Sequence, residues 1–146
     1  MINRFDKEYS FLSNFYSSPI QDGYFNYPTV EHYYQAAKTL DLAERGEIAA
    51  ADTPGQAKEL GRKVLLREDW EDVKDTVMLE ALRLKFSDLA LREKLLATGD
   101  EELIEGNWWH DNYWGICYCE QCVNKAAKNR LGELLMQLRE EIKSSM

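Results

Sequence analysis

Apolar residues recur at helical spacing along most of the chain beyond residue 29. The pattern is clearest over residues 70–86, where Trp70, Val73 and Val77 fall on one face. A second clear stripe follows Asn129 and consists of Leu131, Leu134, Leu135, Leu138 and Ile142. The complete set of predicted helices covers residues 30–41, 42–51, 57–64, 70–86 and 87–96 and the segment after Asn129.

Capping signals mark the starts of these helices. Thr29 precedes the first one, and Glu31 in its first turn suits the helix dipole. Residues 53–56 place Thr at the cap, Pro at the first helical position and Gln at the reciprocal capping position. Asp69 opens the helix over residues 70–86, and Gly99 closes the one that follows. Asn129 is a candidate cap for the last helix.

The first 27 residues have a different pattern, with two aromatic runs on either side of the turn residues Gln21, Asp22 and Gly23. This arrangement predicts short strands joined in a hairpin. Residues 103–105 predict one more short strand. The expected fold class is therefore mainly α, with a small β element near the N-terminus.

Composition limits the classes of partner. A chain of 146 residues with 45% hydrophobic residues is expected to fold as one domain, residues 1–146. The net charge of −8 argues against non-specific duplex DNA and anionic membrane surfaces, because both select basic proteins. Residues 1–8 contain no apolar secretion segment, so we expect a cytoplasmic protein with no membrane partner. Nothing in the sequence requires more than a monomer.

The stretch from Gly106 to Gly115 contains three of the four Trp residues of the chain. Trp108 and Trp114 offer flat apolar faces to a base or a sugar, and the Asn107 amide can make paired hydrogen bonds. An acid and a histidine in the same run could transfer protons. The alternative is an aromatic plug of the core with solvated polar residues.

The first helix contains the second unusual set of side chains. At about 100° per residue, Glu31 and Lys38 point almost the same way, and Tyr34 lies between them. A half-buried Lys there could attack a carbonyl carbon, and Glu31 could position the substrate or move a proton. A polar flank with an ion pair is the competing interpretation. His32 points elsewhere and is predicted to be a packing or surface residue.

Basic residues on other helices are candidates for binding a phosphate. Arg62 and Lys85 lie within helices or near their ends, where charge-assisted hydrogen bonds to phosphate are possible. Solvated surface charges are the alternative for both side chains.

The cysteines Cys117, Cys119 and Cys122 lie within six residues of one another. An odd number in a reducing compartment does not indicate a disulfide framework. We expect three reduced thiols, no bound metal and no cofactor. A Cys3His zinc site completed by His110 is the alternative, since Cys-x-x-Cys is half of a common zinc motif.

Several segments together resemble the NADAR family and occur in the same order. They are residues 11–15, 27–38, 57–62, 85–86, 107–115 and 131–139. The resemblance spans essentially the whole chain and implies a compact, single-domain, orthogonal helical fold. It also implies action on N-glycosidic bonds of ribose-phosphate or ADP-ribose conjugates. One branch of the family processes early riboflavin-pathway intermediates, and another removes ADP-ribose from guanine in nucleic acid.

The resemblance assigns further roles by position. Lys38 and Asp111 match the catalytic Lys and Asp of the family. Glu31 and Trp114 match positions that line the ligand pocket, as do the three residues of the turn Ser13, Asn14 and Phe15. The sequence departs from the family pattern at the Cys-bearing segment after Gly115, which leaves the metal content and one pocket wall open.

These residues are compatible with an N-glycosidase that acts through a Lys38 imine with proton transfer by Asp111. Direct hydrolysis through an oxocarbenium-like centre is the alternative mechanism. A non-catalytic ADP-ribose or nucleotide-binding module is the alternative function, and a zinc-bearing interaction domain is a third. The sequence does not choose between a small riboflavin intermediate and ADP-ribosylated nucleic acid.

Overall fold

The structure is a computed structural model that describes residues 1–146. It contains six α-helices, one 3₁₀ helix and four strands of two residues each. The expected mainly α class is confirmed. The chain divides into two units, which we name the terminal unit (residues 1–13 and 89–146) and the central unit (residues 14–88).

The central unit begins with the predicted hairpin. Strand β1, Ile20–Gln21, pairs antiparallel with β2, Asn26–Tyr27. Four helices follow: α1 Val30–Ala36, α2 Leu42–Ala49, α3 Pro54–Gly61 and α4 Trp70–Lys85. Helix α1 packs against the other three and is therefore central to this unit. The buried apolar side chains of the central unit include Tyr27, Val30, Ile48, Met78 and Leu82.

The predicted caps are observed at two of these helices. The Thr29 hydroxyl accepts a hydrogen bond from the His32 backbone N–H, and Thr53 accepts one from Gln56. The Gln56 side-chain oxygen accepts a hydrogen bond from the backbone N–H of Asp52 rather than from that of the cap residue Thr53. The Thr29 and Thr53 hydroxyls thus satisfy backbone donors that helix formation leaves unpaired. Asp69 precedes α4 as predicted but makes no capping hydrogen bond.

Two local predictions were wrong. The first aromatic run begins in a 3₁₀ helix, Lys7–Leu12, rather than in a strand. Helix α1 ends at Ala36 and not near residue 41, because the chain tightens into i to i+3 bonds, in which the Lys38 N–H donates to the Gln35 carbonyl. Lys38 therefore lies in the turn after the helix.

The terminal unit contains the 3₁₀ helix, α5 (Leu89–Ala97), β3 (Gly106–Asn107), β4 (Ile116–Cys117) and α6 (Arg130–Ser144). The apolar stripe of α6 is buried, and α6 packs against α5. Strands β3 and β4 pair in parallel. The strand predicted at residues 103–105 is only a single bridge between Leu103 and Ile2.

None of the six α-helices combines the length and the apolar character that crossing a bilayer would require.

Candidate active site

Lys38 of the central unit is half-buried and is surrounded by charged and aromatic groups. Its Nζ lies 5.7 Å from the centre of the Tyr34 ring, and Tyr34 in turn contacts Trp70 with ring centres 5.1 Å apart. Burial lowers the pKa of the Lys38 amine, and the positive charges of Arg62 and Lys58 lower it further against the opposing charge of Glu31. The amine is thus less strongly protonated than an exposed lysine, as a nucleophile requires.

Glu31 is held by two hydrogen bonds from its own unit. Its backbone N–H donates to the Asn14 carbonyl at 3.0 Å, and its Oε2 accepts from Gln35 Nε2 at 2.5 Å. The residue is only 8% exposed. The carboxylate therefore has a fixed orientation in the neighbourhood of Lys38.

Gln35 joins α1 to α3. Its side chain is 4% exposed, and its Oε1 is buried without a hydrogen-bond partner. A Cβ added at Gly61 of α3 would lie 2.0 Å from that oxygen, so glycine is required for the amide to occupy this place. Neither Gln35 nor Gly61 was among the predicted site residues.

The turn predicted to line the pocket has one buried member. Asn14 donates a long contact from Nδ2 to the Met78 sulfur, 3.7 Å away, and its buried Oδ1 has no partner. Phe15 is exposed, and Ser13 closes the 3₁₀ helix through its backbone N–H to Ser10. Asn14 is thus the member of this turn with an unused polar atom.

The two candidate phosphate-binding residues differ in their surroundings. Arg62 is exposed and forms an ion pair with Glu59 at 2.6 Å. Lys85 is 1% exposed, with Nζ about as far from the centre of the Tyr16 ring (5.5 Å) as from that of Phe86 (5.3 Å). Burial lowers the pKa of Lys85 to about 7. A buried amine of this kind differs from the permanently charged surface contact that the sequence suggested, whereas Arg62 retains that character.

In the terminal unit, the Trp-rich loop is organised around Asn107. This side chain is fully buried and donates to the Asp111 carbonyl at 2.8 Å and to the Glu105 carboxylate at 3.1 Å. Its Oδ1 accepts from the backbone N–H groups of Trp109 and Asp111. These hydrogen bonds use the polar atoms of the amide, so Asn107 shapes the loop; the substrate contact predicted for it stays a prediction.

Asp111 is half-buried in the same loop. Its Oδ1 accepts from the backbone N–H groups of Tyr113 and Trp114, at 3.1 and 2.8 Å. The carboxylate therefore has a structural role through Oδ1, and Oδ2 is the oxygen available for proton transfer. Asp111 belongs to the terminal unit and Lys38 to the central unit.

The two candidate stacking residues have aromatic neighbours within the terminal unit. Trp108 is 48% exposed, contacts Tyr118 edge-on at 5.5 Å, and has the Arg4 guanidinium 4.9 Å from its ring centre. Trp114 is half-buried and meets Tyr113 edge-on at 4.8 Å. Trp108 thus presents open ring surface next to a cation, which suits an anionic aromatic ligand.

The three cysteines lie together with His110. Nδ1 of His110 is 3.3 Å from the Cys122 sulfur, 3.4 Å from that of Cys119 and 4.0 Å from that of Cys117. No pair of the cysteines forms a disulfide.

A cleft of about 900 Å³ in the terminal unit contains none of the predicted site residues. It lies between the N-terminus and α5, and its charged side chains are mostly acidic: Glu8, Asp100, Glu101 and Glu102, against the single Lys94. Carboxylates repel phosphate, so the size of this cleft does not make it a site for a sugar phosphate.

Comparison with known proteins decides the family. The NADAR domain matches residues 2–143, which is nearly the whole chain. The chain belongs to the NADAR family. The matched range includes residues of both units.

Three NADAR relatives can be named. N-glycosidase YbiA of Escherichia coli is 44% identical over 138 residues, covering 92% of this chain and 82% of the relative. N-glycosidase Npun_R5314 of Nostoc punctiforme is 46% identical over 144 residues, 93% of this chain and 87% of the relative. Riboflavin biosynthesis protein VVA0006 of Vibrio vulnificus is 36% identical over 140 residues, 94% of this chain but 36% of that longer protein.

The fold of this NADAR chain is also seen in a solved structure. The NMR structure of E. coli YbiA superposes with a TM-score of 0.83 at 40% sequence identity, covering 99% of this chain and 88% of the other. The similarity confirms the predicted family fold.

Proposed function

We propose that this chain is an N-glycosidase that releases a ribose-phosphate or ADP-ribose sugar from a nitrogen, with Lys38 as the nucleophile. The activity class, hydrolysis of N-glycosyl bonds, is that of the named relatives at 44% and 46% identity. The observation that carries the assignment of Lys38 is its half-buried amine, with a lowered pKa, beside the fixed carboxylate of Glu31.

The chemistry follows from the aminal nature of C1′. Protonation of the ring oxygen opens the sugar and leaves C1′ doubly bonded to the departing nitrogen. The neutral Lys38 amine adds to C1′, the original nitrogen leaves with a proton, and C1′ becomes an imine of Lys38. Water then hydrolyses this imine, which frees the sugar and restores the amine.

Two carboxylates assist in this scheme. We assign the proton transfers at the ring oxygen and the leaving nitrogen to Asp111 Oδ2, because Oδ1 is occupied by backbone N–H groups. Glu31 would hold the Lys38 ammonium in place before it deprotonates, since its charge is among those that act on the pKa of Lys38. Both carboxylates have fixed orientations, which favours positioned proton transfer.

Substrate binding would use polar atoms that have no partner in the protein. Asn14 Oδ1 and Gln35 Oε1 are buried acceptors without a hydrogen bond, and ribose hydroxyls are donors that would satisfy them. Arg62 offers an exposed guanidinium to the phosphate. Its positive charge lowers the pKa of Lys38 and therefore acts on the proposed nucleophile. Trp108 and Trp114 are the candidates for stacking on the base, with Tyr34 beside the amine.

The first experiment locates the imine. Full-length protein is incubated with the riboflavin-pathway N-glycoside and with ADP-ribosylated guanosine, reduced with borohydride and digested, and the modified lysine is identified by mass spectrometry. We expect a sugar adduct on Lys38, and Lys38→Ala should lose at least ~10³-fold in kcat, because the covalent route is removed. Lys63→Ala, which replaces an exposed lysine of the same unit, is the matched control and should keep wild-type activity.

The outcomes are distinct. An adduct on Lys85 would move the nucleophile to the other lysine with a lowered pKa. Full activity of Lys38→Ala would refute its role. Tight binding of either compound without any turnover would favour the non-catalytic binding module instead. Turnover of only one compound would identify the substrate branch.

The second experiment separates the two roles of Asp111. Asp111→Asn keeps an oxygen for the N–H groups of Tyr113 and Trp114 but cannot transfer a proton. We expect Asp111→Asn to melt close to the wild type and to lose ~10²–10⁴-fold in activity. Asp111→Ala should lose stability as well. If Lys38 and Asp111 serve one reaction, the double variant should lose far less than the product of the single losses.

A further inference from the structure

The segment after β3 brings four side chains with metal-binding atoms to one point. Nδ1 of His110 and the sulfurs of Cys117, Cys119 and Cys122 all lie within 4.8 Å of one another. The two cysteines Cys117 and Cys122 are buried, at 2% and 3% exposure. Imidazole nitrogen and thiolate sulfur are the ligands that zinc prefers in structural sites.

The separations of His110 Nδ1 from the three sulfurs are close to those of a zinc tetrahedron. With Zn–S and Zn–N bonds of about 2.3 and 2.0–2.1 Å, tetrahedral geometry separates sulfur from nitrogen by about 3.6 Å. The three separations from His110 Nδ1 are 3.3, 3.4 and 4.0 Å. The imidazole nitrogen therefore already lies near ligand spacing from all three sulfurs, and a bound ion would require only small shifts of the four side chains.

The backbone supports this arrangement at each ligand. His110 has a positive φ of 69°, a conformation that few non-glycine residues adopt and that directs its ring toward the cysteines. The Cys122 N–H donates to the Cys119 carbonyl at 3.0 Å, which forms the tight turn of the Cys-x-x-Cys pair. The Asn112 side chain accepts from the Cys117 N–H at 3.0 Å. Strained backbone of this kind persists where the surroundings require it.

We propose that His110, Cys117, Cys119 and Cys122 bind one zinc ion in a closed Cys3His site. This goes beyond the N-glycosidase function and does not depend on it. Four protein ligands leave no open position for water or substrate, so the ion is structural and not a Lewis acid. It would join His110, which precedes Asp111, to β4 and the segment that follows it, and so hold the Trp-rich loop at one end.

The experiment measures the metal directly. Full-length protein without a histidine tag is purified under reducing conditions, and zinc is determined by mass spectrometry of the element. We expect one zinc per chain. Protein reconstituted with cobalt should show the visible bands and the thiolate charge-transfer band of tetrahedral Co²⁺ bound to sulfur. A strong chelator should lower the melting temperature of the wild type.

Variants test the ligand set. Cys119→Ser and His110→Ala should bind zinc at least ~100-fold more weakly. Removal of a residue that only hydrogen-bonds to a metal ligand already costs ~10–100-fold in affinity, and removal of the ligand itself should cost more. Val123→Ser, a 64% exposed neighbour of Cys122, is the matched control and should bind zinc as the wild type does. Cys122 is buried, so Cys122→Ser is not used: a failure to fold would be confused with loss of zinc. The cobalt spectrum of the wild type tests the ligand set without any substitution. The proposal is overturned if reduced protein supplied with zinc binds none, or if Cys119→Ser and His110→Ala bind it unchanged.

Discussion

Replacement of Gly61 by alanine would test the packing that holds Glu31 beside Lys38. Gly61 ends α3, and the added Cβ would lie 2.0 Å from Gln35 Oε1, 2.8 Å from its Cδ and 3.1 Å from its Cβ. A flexible amide could rotate away from the first two contacts. Rotation would break the 2.5 Å bond from Gln35 to Glu31, because that bond needs the present rotamer.

The size of the effect follows from two opposing terms. Alanine is better than glycine in a helix by about 1 kcal/mol, which stabilises the variant. Loss of a hydrogen bond to a charged group costs about 1.5–3 kcal/mol, and overpacking without rotation costs about 1–3 kcal/mol. With rotation of the amide, the net expectation is a loss of about 0.5–2 kcal/mol. For a chain of this length, that corresponds to a fall of ~1–8 °C in melting temperature.

The assay is thermal and urea unfolding of Gly61→Ala beside a control in the same helix. Gly55 also lies in α3, but a Cβ there meets only the Thr53 hydroxyl at 3.8 Å, an ordinary contact. Gly55→Ala should therefore be neutral or stabilising by up to about 1 kcal/mol. The opposite signs of the two changes would separate the clash from helix propensity.

A double variant tests whether the Gln35 side chain is the group that the added Cβ displaces. In the Gln35→Ala background the amide is gone, so Gly61→Ala should lose most of its penalty and keep only the 3.1 Å contact with Cβ. If Gly61→Ala is as stable as Gly55→Ala, or if its penalty is unchanged without the Gln35 amide, the reasoning about this packing is wrong.

Three further predictions concern groups outside this contact. His32 is 1% exposed, and burial lowers its pKa. The unfolded chain therefore gains the proton first, and the folded protein should lose stability as pH falls below about 6.5. His32→Gln should flatten that pH dependence of stability in urea titrations. Asn129→Ala should destabilise the folded protein by about 2–4 kcal/mol. The change leaves the Leu103 carbonyl and the Glu105 N–H unpaired and puts alanine at a φ of 51°. Asn129→Gly should lose less stability, because glycine tolerates that φ; thermal unfolding of both variants measures the difference. In the N-glycosidase assay, kcat should rise with pH through the lowered pKa of Lys38, and a flat profile would count against an attacking amine.

The parts of the fold that the sequence predicted are those fixed by local rules. The caps at Thr29 and Thr53 depend on a side chain and a backbone donor three residues away, so their geometry is readable from the sequence. The stripe of α6 is equally local, because a 3.6-residue period places its leucines on one face. The hairpin around Asp22 was predicted for the same reason, and Asp22 Oδ1 accepts from the N–H groups of Tyr24 and Phe25.

The errors occur where distant segments determine the local structure. No glycine or proline ends α1, but the Arg67 N–H donates to the Lys38 carbonyl at 2.8 Å, and the turn there is completed by a residue far along the chain. The sequence pattern therefore predicted Lys38 on the same helix face as Glu31, whereas it lies in the turn after α1. Asn129 stands at the predicted cap position, but its side chain bonds to Leu103 and Glu105 instead of capping α6. Such partners are not visible in a pattern of spacings.

Buried side-chain amides are the common element in how both units support the proposed chemistry. Gln35 fixes Glu31 in the central unit, and Asn107 fixes the Asp111 backbone in the terminal unit. An amide offers both donors and an acceptor without a net charge, so it can hold a carboxylate or a loop carbonyl without adding a charge to the site. A charged residue in either place would shift the pKa of the nearby catalytic group. Gln35→Glu should therefore raise the pKa of Lys38 and move the rise of kcat to higher pH, whereas Gln35→Ala adds no charge and should move that rise less than Gln35→Glu does.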